Sequence, residues 1–388
     1  MAFDPANLPS GESASLGTTT IDLRAAYPPG VAVLDVLPLV DDEGQRFGLR
    51  GYCCCDELLW TAPDRHRRPG RIDVAALITR DGGESPAHTF LRLKNWSSSK
   101  IELQRWLSCL RERHGDALTL IVRDCTDFGI AWELFWLSGP DGGDWLGSAI
   151  TVTRWVTMPR ARSTVSRLPL HRARAGGEVV AYVADGPMRA DLEVLKELDA
   201  VITETFWDLL ARMDEPGGPF ALVYAACHGR FSGSSLEFLL DDAVSVADVD
   251  TARLSRLARF GGLVFLNACH SARLIDDPEY NDATQRGFAE AFLRAGATGF
   301  IGTVGVVAEE QAHRYLREII RLLRERPGTP IAVTIRDLRR RHSVRIPPRS
   351  NDPAAARALL PFFHTFMYAY YGGPSDYATL PPLREGRR

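Results

Sequence analysis

Lysine is scarce in this sequence. Only Lys94, Lys100 and Lys196 occur, so arginine supplies the other 43 of the 46 basic residues. Together with abundant alanine and glycine, this bias indicates GC-rich coding more than a mechanism. The net charge of −3 argues against a protein that binds nucleic acid by neutralising phosphates. We therefore expect no nucleic-acid partner.

Signals for secretion, membranes and metals are also missing. The first 20 residues have neither a basic start nor an apolar core, and no 18 apolar residues run together. The seven cysteines form no CxxC pair, and in a cytosol they would stay thiols. The chain contains no P-loop, GxSxG, HExxH or metal-type Cys/His spacing. We predict a cytoplasmic protein without a membrane partner, metal or cofactor.

The order of segments predicts an α/β protein. Residues 1–20 are predicted to be a disordered tail, and residues 21–85 a β-rich N-terminal region that includes runs at 31–40 and 74–78. In residues 86–175 we predict a helix at 101–114, a strand at 118–122, a buried aromatic segment at 130–137, a strand across 144–156 and a linker at 159–177. Residues 176–385 alternate strands at 179–184, 220–226, 263–266, 299–304 and 366–371 with helices at 189–213, 246–258, 287–295, 309–324 and 331–341. This alternation indicates a mostly parallel sheet between layers of helices.

Two apolar runs in this second half end abruptly in reactive residues. The run 220–226 leads into Cys227, His228 and Gly229, and the run 263–266 leads into Asn267, Ala268 and Cys269. Runs of this kind are typical of strands buried on both faces, whose carboxyl ends meet at the site edge of open α/β sheets. A thiol nucleophile needs a nearby base. The pattern therefore predicts His228 and Cys269 side by side.

The surrounding segments resemble the CHAT domain, a branch of the caspase-like clan of cysteine proteases that is often fused to TPR repeats. The resemblance covers about residues 86–380 and includes the strand that ends in His228-Gly229, the Asn267-Ala268-Cys269-x-Ser271 motif and the segment GFAEAFLRAGATGFIGTV. It also includes Trp132-Glu133-Leu134, the TRW at 153–155 and the closing YAYYGGPS.

The resemblance implies a caspase-like three-layer α/β/α sandwich and a His–Cys dyad. Carried over, His228 is the general base, Cys269 is the nucleophile, and the backbone N–H groups of Gly229 and Cys269 form the oxyanion hole. It also implies a protein or peptide substrate and regulation by a protein partner or signal, often in prokaryotic defence. The function that follows is a cysteine endopeptidase. The alternatives are an interaction scaffold with an idle dyad and another thiol chemistry on the same dyad.

Several residues near the dyad have two readings. In the related metacaspases an Asp stands two residues before the nucleophile and selects a basic P1 side chain, but this chain has Asn267, which either lines a pocket or bonds the turn. Ala268 and Thr303 are further candidates for the S1 pocket. On an extended backbone His270 would point away from Cys269. Three residues of the next helix are predicted to serve only that helix: Glu309, Glu310 and His313.

Three larger segments also keep alternatives. The N-terminal region either forms a regulatory module, extends the caspase-like sheet or belongs to a degenerate caspase half. The arginine-rich stretch 336–349 is expected to be a solvated helix face, the alternative being a surface for an acidic partner or nucleic acid. Residues 271–285 are expected to form a loop that orders on activation or substrate binding.

Overall fold

The computed structural model describes most of the chain in ordered segments. These are residues 27–39, 46–54, 58–62, 64–69, 86–139, 142–156, 172–231, 238–241, 243–276, 285–346 and 353–382. The predicted tail at 1–20 and the predicted run at 74–78 lie outside them. Within the described ranges no helix is both long and apolar enough to cross a bilayer.

The helices are α1 Pro86–Ser98, α2 Ile101–His114, α3 Leu146–Ala149, α4 Asp191–Glu197, α5 Phe206–Asp214, α6 Val246–Thr251, α7 Ser255–Phe260, α8 Phe288–Arg294, α9 Glu309–Glu325, α10 Ile331–His342 and α11 Pro353–Met367. Short 3-10 helices occur at Gly115–Ala117, Trp132–Leu134 and Pro187–Ala190.

The strands are β1 Val31–Pro38, β2 Arg46–Cys53, β3 Leu59–Trp60, β4 His66–Arg67, β5 Thr119–Asp124, β6 Trp136–Leu137, β7 Asp144–Trp145, β8 Thr151–Arg154, β9 Arg174–Gly176, β10 Glu178–Val183, β11 Val201–Thr203, β12 Phe220–Ala226, β13 Gly229–Phe231, β14 Phe238–Leu240, β15 Val244–Ser245, β16 Leu263–Asn267, β17 Ile275–Asp276, β18 Gln285–Arg286, β19 Gly299–Thr303, β20 Tyr368–Gly372 and β21 Tyr377–Thr379.

One large sheet runs through the molecule in the order β11-β10-β12-β16-β19-β20-β8-β5-β1-β2-β3, with β4 paired to β2. The strands from β11 to β19 are parallel to one another. Strand β20 runs antiparallel to β19 but parallel to β8, and β5 and β1 follow the direction of β8. From β11 to β1 the sheet therefore consists of two parallel blocks that point in opposite directions and meet at the pair β19–β20.

Helices cover both faces of the block that carries the two reactive strand ends. One face packs against α5, α8 and α11 in one hydrophobic cluster. The other face packs against α4, α9 and α10 in a second cluster. This is the predicted three-layer α/β/α arrangement with a mostly parallel sheet. It explains why β12 and β16 read as uninterrupted apolar runs, since strands buried on both faces have no solvent-facing side.

The N-terminal strands join the same sheet. Strand β1 pairs in parallel with β5 and antiparallel with β2, and helix α2 packs over this block. Asp35 on β1 is fully buried and accepts hydrogen bonds from Arg123 at 2.9 and 2.8 Å. Burying this carboxylate beside a guanidinium satisfies both charges. Among the alternatives for the N-terminal region, the described strands β1 and β2 extend the sheet.

Several predicted elements are wrong in extent. The predicted helix at 189–213 is a 3-10 turn, α4, β11 and α5. Helix α4 is followed by Asp199, which has φ of 56° in the left-handed region, and α5 starts at a capping box between Thr205 and Asp208. Such breaks depend on single polar residues, which an apolar repeat does not reveal.

Other predicted elements differ for a related reason. The predicted strand across 144–156 contains α3 between β7 and β8, and the predicted helix at 246–258 is interrupted between α6 and α7. The predicted strand at 366–371 starts only at Tyr368, because the residues before it belong to α11. Near-complete burial removes the period that separates a helix from a strand. The end of the predicted linker, Arg174–Gly176, is a strand paired with β21.

The described part of the arginine-rich stretch, residues 336–346, is only in part the solvated helix face that we expected. Arg339 is fully buried on α10, and its Nη2 donates to the carbonyl oxygen of Tyr368 at 2.5 Å. Arg336 is 7% exposed and donates to Thr151 Oγ1 at 3.1 Å. These side chains hold α10 against the sheet, because a buried guanidinium needs acceptors for its donors. Arg340 and Arg341, on the same helix, are exposed to solvent.

His364 makes the fold sensitive to acid. It lies on α11 with 1% of its surface exposed, and neither ring nitrogen has a hydrogen-bond partner among the described residues. Burial lowers the pKa of His364 to about 4. In the unfolded chain a histidine binds its proton near pH 6.5. Below pH 6.5 the unfolded chain binds this proton and the folded protein does not. The free energy of unfolding is therefore highest above pH 6.5 and falls as the pH falls toward 4.

We expect the free energy of unfolding to fall by about 2 kcal/mol through His364 alone between pH 7 and pH 5. Urea unfolding of wild type and His364→Leu at both pH values measures it, since the leucine variant should lose correspondingly less stability on acidification. The exposed His88 provides the control variant His88→Leu. Equal pH dependence in His364→Leu and wild type would contradict the assignment.

Candidate active site

Two neighbouring strands deliver His228 and Cys269 to one place. Strands β12 and β16 are parallel, with Ala226 opposite Asn267 in the register. Both strands are buried along their whole length, so their first accessible polar side chains come where the strands end. His228 and Cys269 line the same cavity at that carboxyl edge. His228 is exposed, whereas Cys269 is half-buried.

Gly229 lies directly against the backbone of Cys269. A Cβ atom on Gly229 would be 2.0 Å from the carbonyl oxygen of Cys269 and 3.0 Å from its nitrogen, so only glycine fits. The N–H of Asp241 donates to the carbonyl oxygen of His228 at 2.7 Å, which makes Gly229 and Leu240 a non-hydrogen-bonded pair of the β13–β14 ladder. The N–H of Gly229 is thus not used by that ladder.

Asp241 fixes the backbone at His228, just before β13, through the hydrogen bond from its N–H. This residue has φ of 51°, which an aspartate tolerates in a turn, and its Oδ2 accepts the hydroxyl proton of Tyr182 at 2.5 Å. Tyr182 lies on β10, the neighbour of β12. A contact from the sheet therefore fixes the backbone that carries His228.

The Cys269 thiol is held by the segment that follows β19. The N–H of Val307 donates to Sγ at 3.5 Å, and the thiol donates to the carbonyl oxygen of Val307 at 3.8 Å. Burial raises the pKa of Cys269, and the nearby Glu309 carboxylate adds to this, against the Val307 N–H that lowers it. In this arrangement the sulfur is a protonated thiol held by backbone groups.

Asn267 is part of a buried hydrogen-bond chain. Its Nδ2 donates to Tyr224 Oη at 2.8 Å and to the carbonyl oxygen of Ala312 at 3.3 Å, and its Oδ1 accepts from Tyr368 Oη at 2.6 Å. The side chain is 6% exposed. Asn267 lines the cavity, but its amide is used by these partners. Asn267 therefore lies at the pocket, as one interpretation had it, whereas its side chain bonds β12, β20 and α9 and not the turn.

The chain continues to two residues that the sequence did not single out for the site. Tyr224 Oη donates to Asp191 Oδ2, and Asp191 Oδ1 lies 2.7 Å from Nδ1 of His313. His313 was expected to serve only its helix, but it lines the cavity with Asp191. A signal was available, because both residues follow the carboxyl end of a strand, β10 for Asp191 and β19 for His313.

Two other predicted neighbours of the dyad behave differently. Thr303 is fully buried and does not line this cavity; its Oγ1 donates to the carbonyl oxygens of Ala268 and Gly305 at 2.8 and 2.9 Å. It supports the turn after β16 instead of forming the S1 pocket. His270 has φ of 60°, so the extended backbone assumed for it is wrong. Ala268 does line the cavity.

The cavity is small, with a volume of about 100 Å³. Its charged or titratable side chains are Asp191, Glu309, His228 and His313, together with the Cys269 thiol. The remaining walls come from Met188, Ala226, Cys227, Gly229, Asn267, Ala268, Val307 and Ala312. Among the described residues, no three His, Cys, Asp or Glu side chains are placed to share a metal ion. The reactive groups that line this cavity are therefore the Cys269 thiol and the imidazoles of His228 and His313.

A family comparison covers the part of the chain that contains these residues. The model of the CHAT domain matches residues 121–353, which is more than half of the sequence and includes His228, Cys269 and His313. The chain belongs to the CHAT domain family. The comparison with curated proteins found no match.

Among solved structures, the chain is similar to the Arg-specific cysteine proteinase gingipain R of Porphyromonas gingivalis, with a TM-score of 0.48 and 14% identity over 72% of this chain and 69% of that one. It is also similar to the Saccharomyces cerevisiae separase–securin complex, with a TM-score of 0.46 and 10% identity over 89% of this chain and 30% of that one.

The buried amide of Asn267 predicts the effect of a carboxylate at this position. In Asn267→Asp a carboxylate oxygen replaces the Nδ2 donor opposite the Ala312 carbonyl and comes close to Asp191. We expect a loss of about 3 kcal/mol in the free energy of unfolding, because a buried charge then faces acceptors. Urea unfolding measures it, with Asn95→Asp on the exposed side of α1 as the control. Equal stabilities of the two variants would refute the buried network.

Proposed function

We propose that this protein is a cysteine endopeptidase in which His228 and Cys269 cleave a peptide bond of a protein substrate. The observation that carries the proposal is the placement of both side chains on one cavity, at the ends of adjacent parallel strands. Membership of the CHAT domain family supports it. The reaction needs neither metal nor cofactor, because the thiol and the imidazole supply the nucleophile and the proton transfers.

The proposed steps are those of a thiol nucleophile with an imidazole base. His228 takes the thiol proton, and the Cys269 thiolate attacks the carbonyl carbon of the scissile bond. The N–H groups of Gly229 and Cys269 stabilise the oxyanion that forms. His228 then gives its proton to the departing amine and leaves a thioester. Water, deprotonated by His228, hydrolyses the thioester and restores the thiol.

Regulation is part of the proposal. The contacts between Val307 and the thiol, together with the raised pKa of Cys269, favour a resting form in which the nucleophile is protonated. A partner or signal that moves the segment between β19 and α9 would free the sulfur for His228. The role in prokaryotic defence and the cytoplasmic location implied by the sequence stay predictions.

A scaffold with an idle dyad is the second candidate, and the same raised thiol pKa favours it. The presence of His228, Gly229 and Cys269 around one cavity favours the enzyme, because a scaffold has no chemical need for all three. Proteolysis that is present in wild type and lost in Cys269→Ala and His228→Ala would distinguish the enzyme from the scaffold.

We expect wild-type protein to generate new N termini in a cell extract, and Cys269→Ala and His228→Ala to generate none above background. Quantitative N-terminal proteomics measures this, and the wild type's products should share a P1 preference. The exposed Cys109 provides the matched control Cys109→Ala, which should cleave as wild type does. Identical N-terminal profiles for wild type and Cys269→Ala would exclude proteolysis by this dyad.

Gly229→Ala tests the oxyanion site. Because its Cβ would collide with the Cys269 carbonyl oxygen, the backbone must shift and the N–H of residue 229 must move. We expect kcat/KM to fall at least about 100-fold, as for the loss of one oxyanion-hole donor. Gly218→Ala is the control, since its Cβ meets nothing within 4 Å. Retained activity in Gly229→Ala, measured on the sites found by N-terminal proteomics, would remove Gly229 from the mechanism.

A further inference from the structure

His313 lines the cavity, and one of its ring nitrogens is held by a carboxylate. Its Nδ1 is 2.7 Å from Asp191 Oδ1, and the side chains of Asp191 and His313 are 3% and 23% exposed. An aspartate carboxylate accepts hydrogen bonds, so Nδ1 donates to it. In a neutral imidazole the other nitrogen, Nε2, then carries the lone pair and acts as an acceptor. The Asp191 carboxylate therefore sets the tautomer of the neutral His313 ring, with the proton on Nδ1.

The direction of these hydrogen bonds is fixed from deeper in the protein. The Ala312 carbonyl can only accept, which assigns Nδ2 of Asn267 as the donor to both Ala312 and Tyr224. Tyr224 accepts from Asn267 and therefore gives its own proton to Asp191 Oδ2. Both carboxylate oxygens of Asp191 thus accept, one from Tyr224 and one from His313.

The other polar groups at this wall also accept. Glu309, in the first turn of α9, adds a carboxylate, and Asn267 has its amide engaged. The apolar residues that line the cavity are Met188, Ala226, Ala268, Val307 and Ala312. No lysine or arginine occurs among the described residues that line the cavity. The wall therefore offers acceptors and negative charge to a substrate side chain.

We propose that this cavity takes a P1 side chain that donates hydrogen bonds, as the ammonium of lysine and the amide of glutamine do, and that His313 selects it. The inference rests on the proposed function, in which Cys269 attacks the bond that follows P1. A donor on the P1 side chain pairs with Nε2 of His313 and with Glu309. An apolar side chain leaves these acceptors unpaired, and a carboxylate side chain meets Glu309 and a lone pair.

A matched series of four peptidyl acyloxymethyl ketones tests the selection. The probes differ only at P1, which is lysine, glutamine, norleucine or glutamate, and the rate of Cys269 alkylation is followed by mass spectrometry of the modified peptide. We expect the lysine and glutamine probes to react at least about tenfold faster than the norleucine probe, and glutamate to react most slowly. Equal rates at all four P1 residues would overturn the proposal.

Asp191→Asn should reverse the preference. Tyr224 still needs an acceptor, so the amide oxygen faces Tyr224 and the NH₂ group faces His313. Nδ1 then accepts, Nε2 becomes a donor, and one negative charge is removed. We expect the glutamate probe to gain at least about tenfold relative to the lysine probe. An unchanged ranking in this variant would refute the tautomer argument.

His313→Leu should make the lysine and norleucine probes react at similar rates, and His313→Gln provides a second variant should the leucine variant fail to fold. The matched control is His342→Leu, because His342 pairs with Glu318 at 2.9 Å and does not line the cavity. Its probe ranking should equal that of wild type. Labelling of Cys269 with a ranking that ignores P1 overturns this inference alone. The probes are applied in the cell extract used for N-terminal proteomics, where any activating partner is present, so no labelling by any probe there overturns the proposed function and this inference with it.

Discussion

The two blocks of the sheet depend on one buried carboxylate. Glu133 accepts from Arg154 Nε at 3.0 Å and from its Nη2 at 2.5 Å, and Arg339 lies 3.7 Å away. Burial opposes the charge of Glu133, but the two guanidinium groups outweigh it and hold the pKa of Glu133 below its ordinary value. Removing one member would leave an unpaired buried charge, so segments far apart in sequence must assemble together.

That assembly reaches the cavity through β20. Arg339 donates to the carbonyl oxygen of Tyr368, and Tyr368 Oη donates to Asn267, from which hydrogen bonds continue through Tyr224 to Asp191 and His313. Tyr315 also stacks on Tyr368 with ring centroids 3.6 Å apart. The end of β16 is therefore supported by side chains that span the interior, and the hydrogen bonds among them offset the cost of burying their polar groups.

Elements that leave a repeating apolar pattern could be predicted from the sequence, whereas residues that matter through contacts with distant segments could not. The apolar runs before His228 and Cys269 predicted two adjacent buried strands, since burial on both faces leaves a readable signature. Helix α2 matched its predicted bounds because half-buried helices keep a period. Asp191 and His313 gave no such signature, because their importance arises from contact between residues 122 positions apart. Thr303 was misread for the same reason, as burial is not visible at a single position.

The position of β20 has a consequence for the order of folding. This strand fills the gap between β19 and β8, yet its residues emerge from the ribosome after every other described strand of the large sheet. Until then β19 and β8 each expose an unpaired edge, which invites association between nascent chains. The two blocks can be formed early as separate units, but they become one sheet only when this late strand arrives. Synthesis rate and chaperone binding while β20 emerges from the ribosome would then govern how much protein folds correctly.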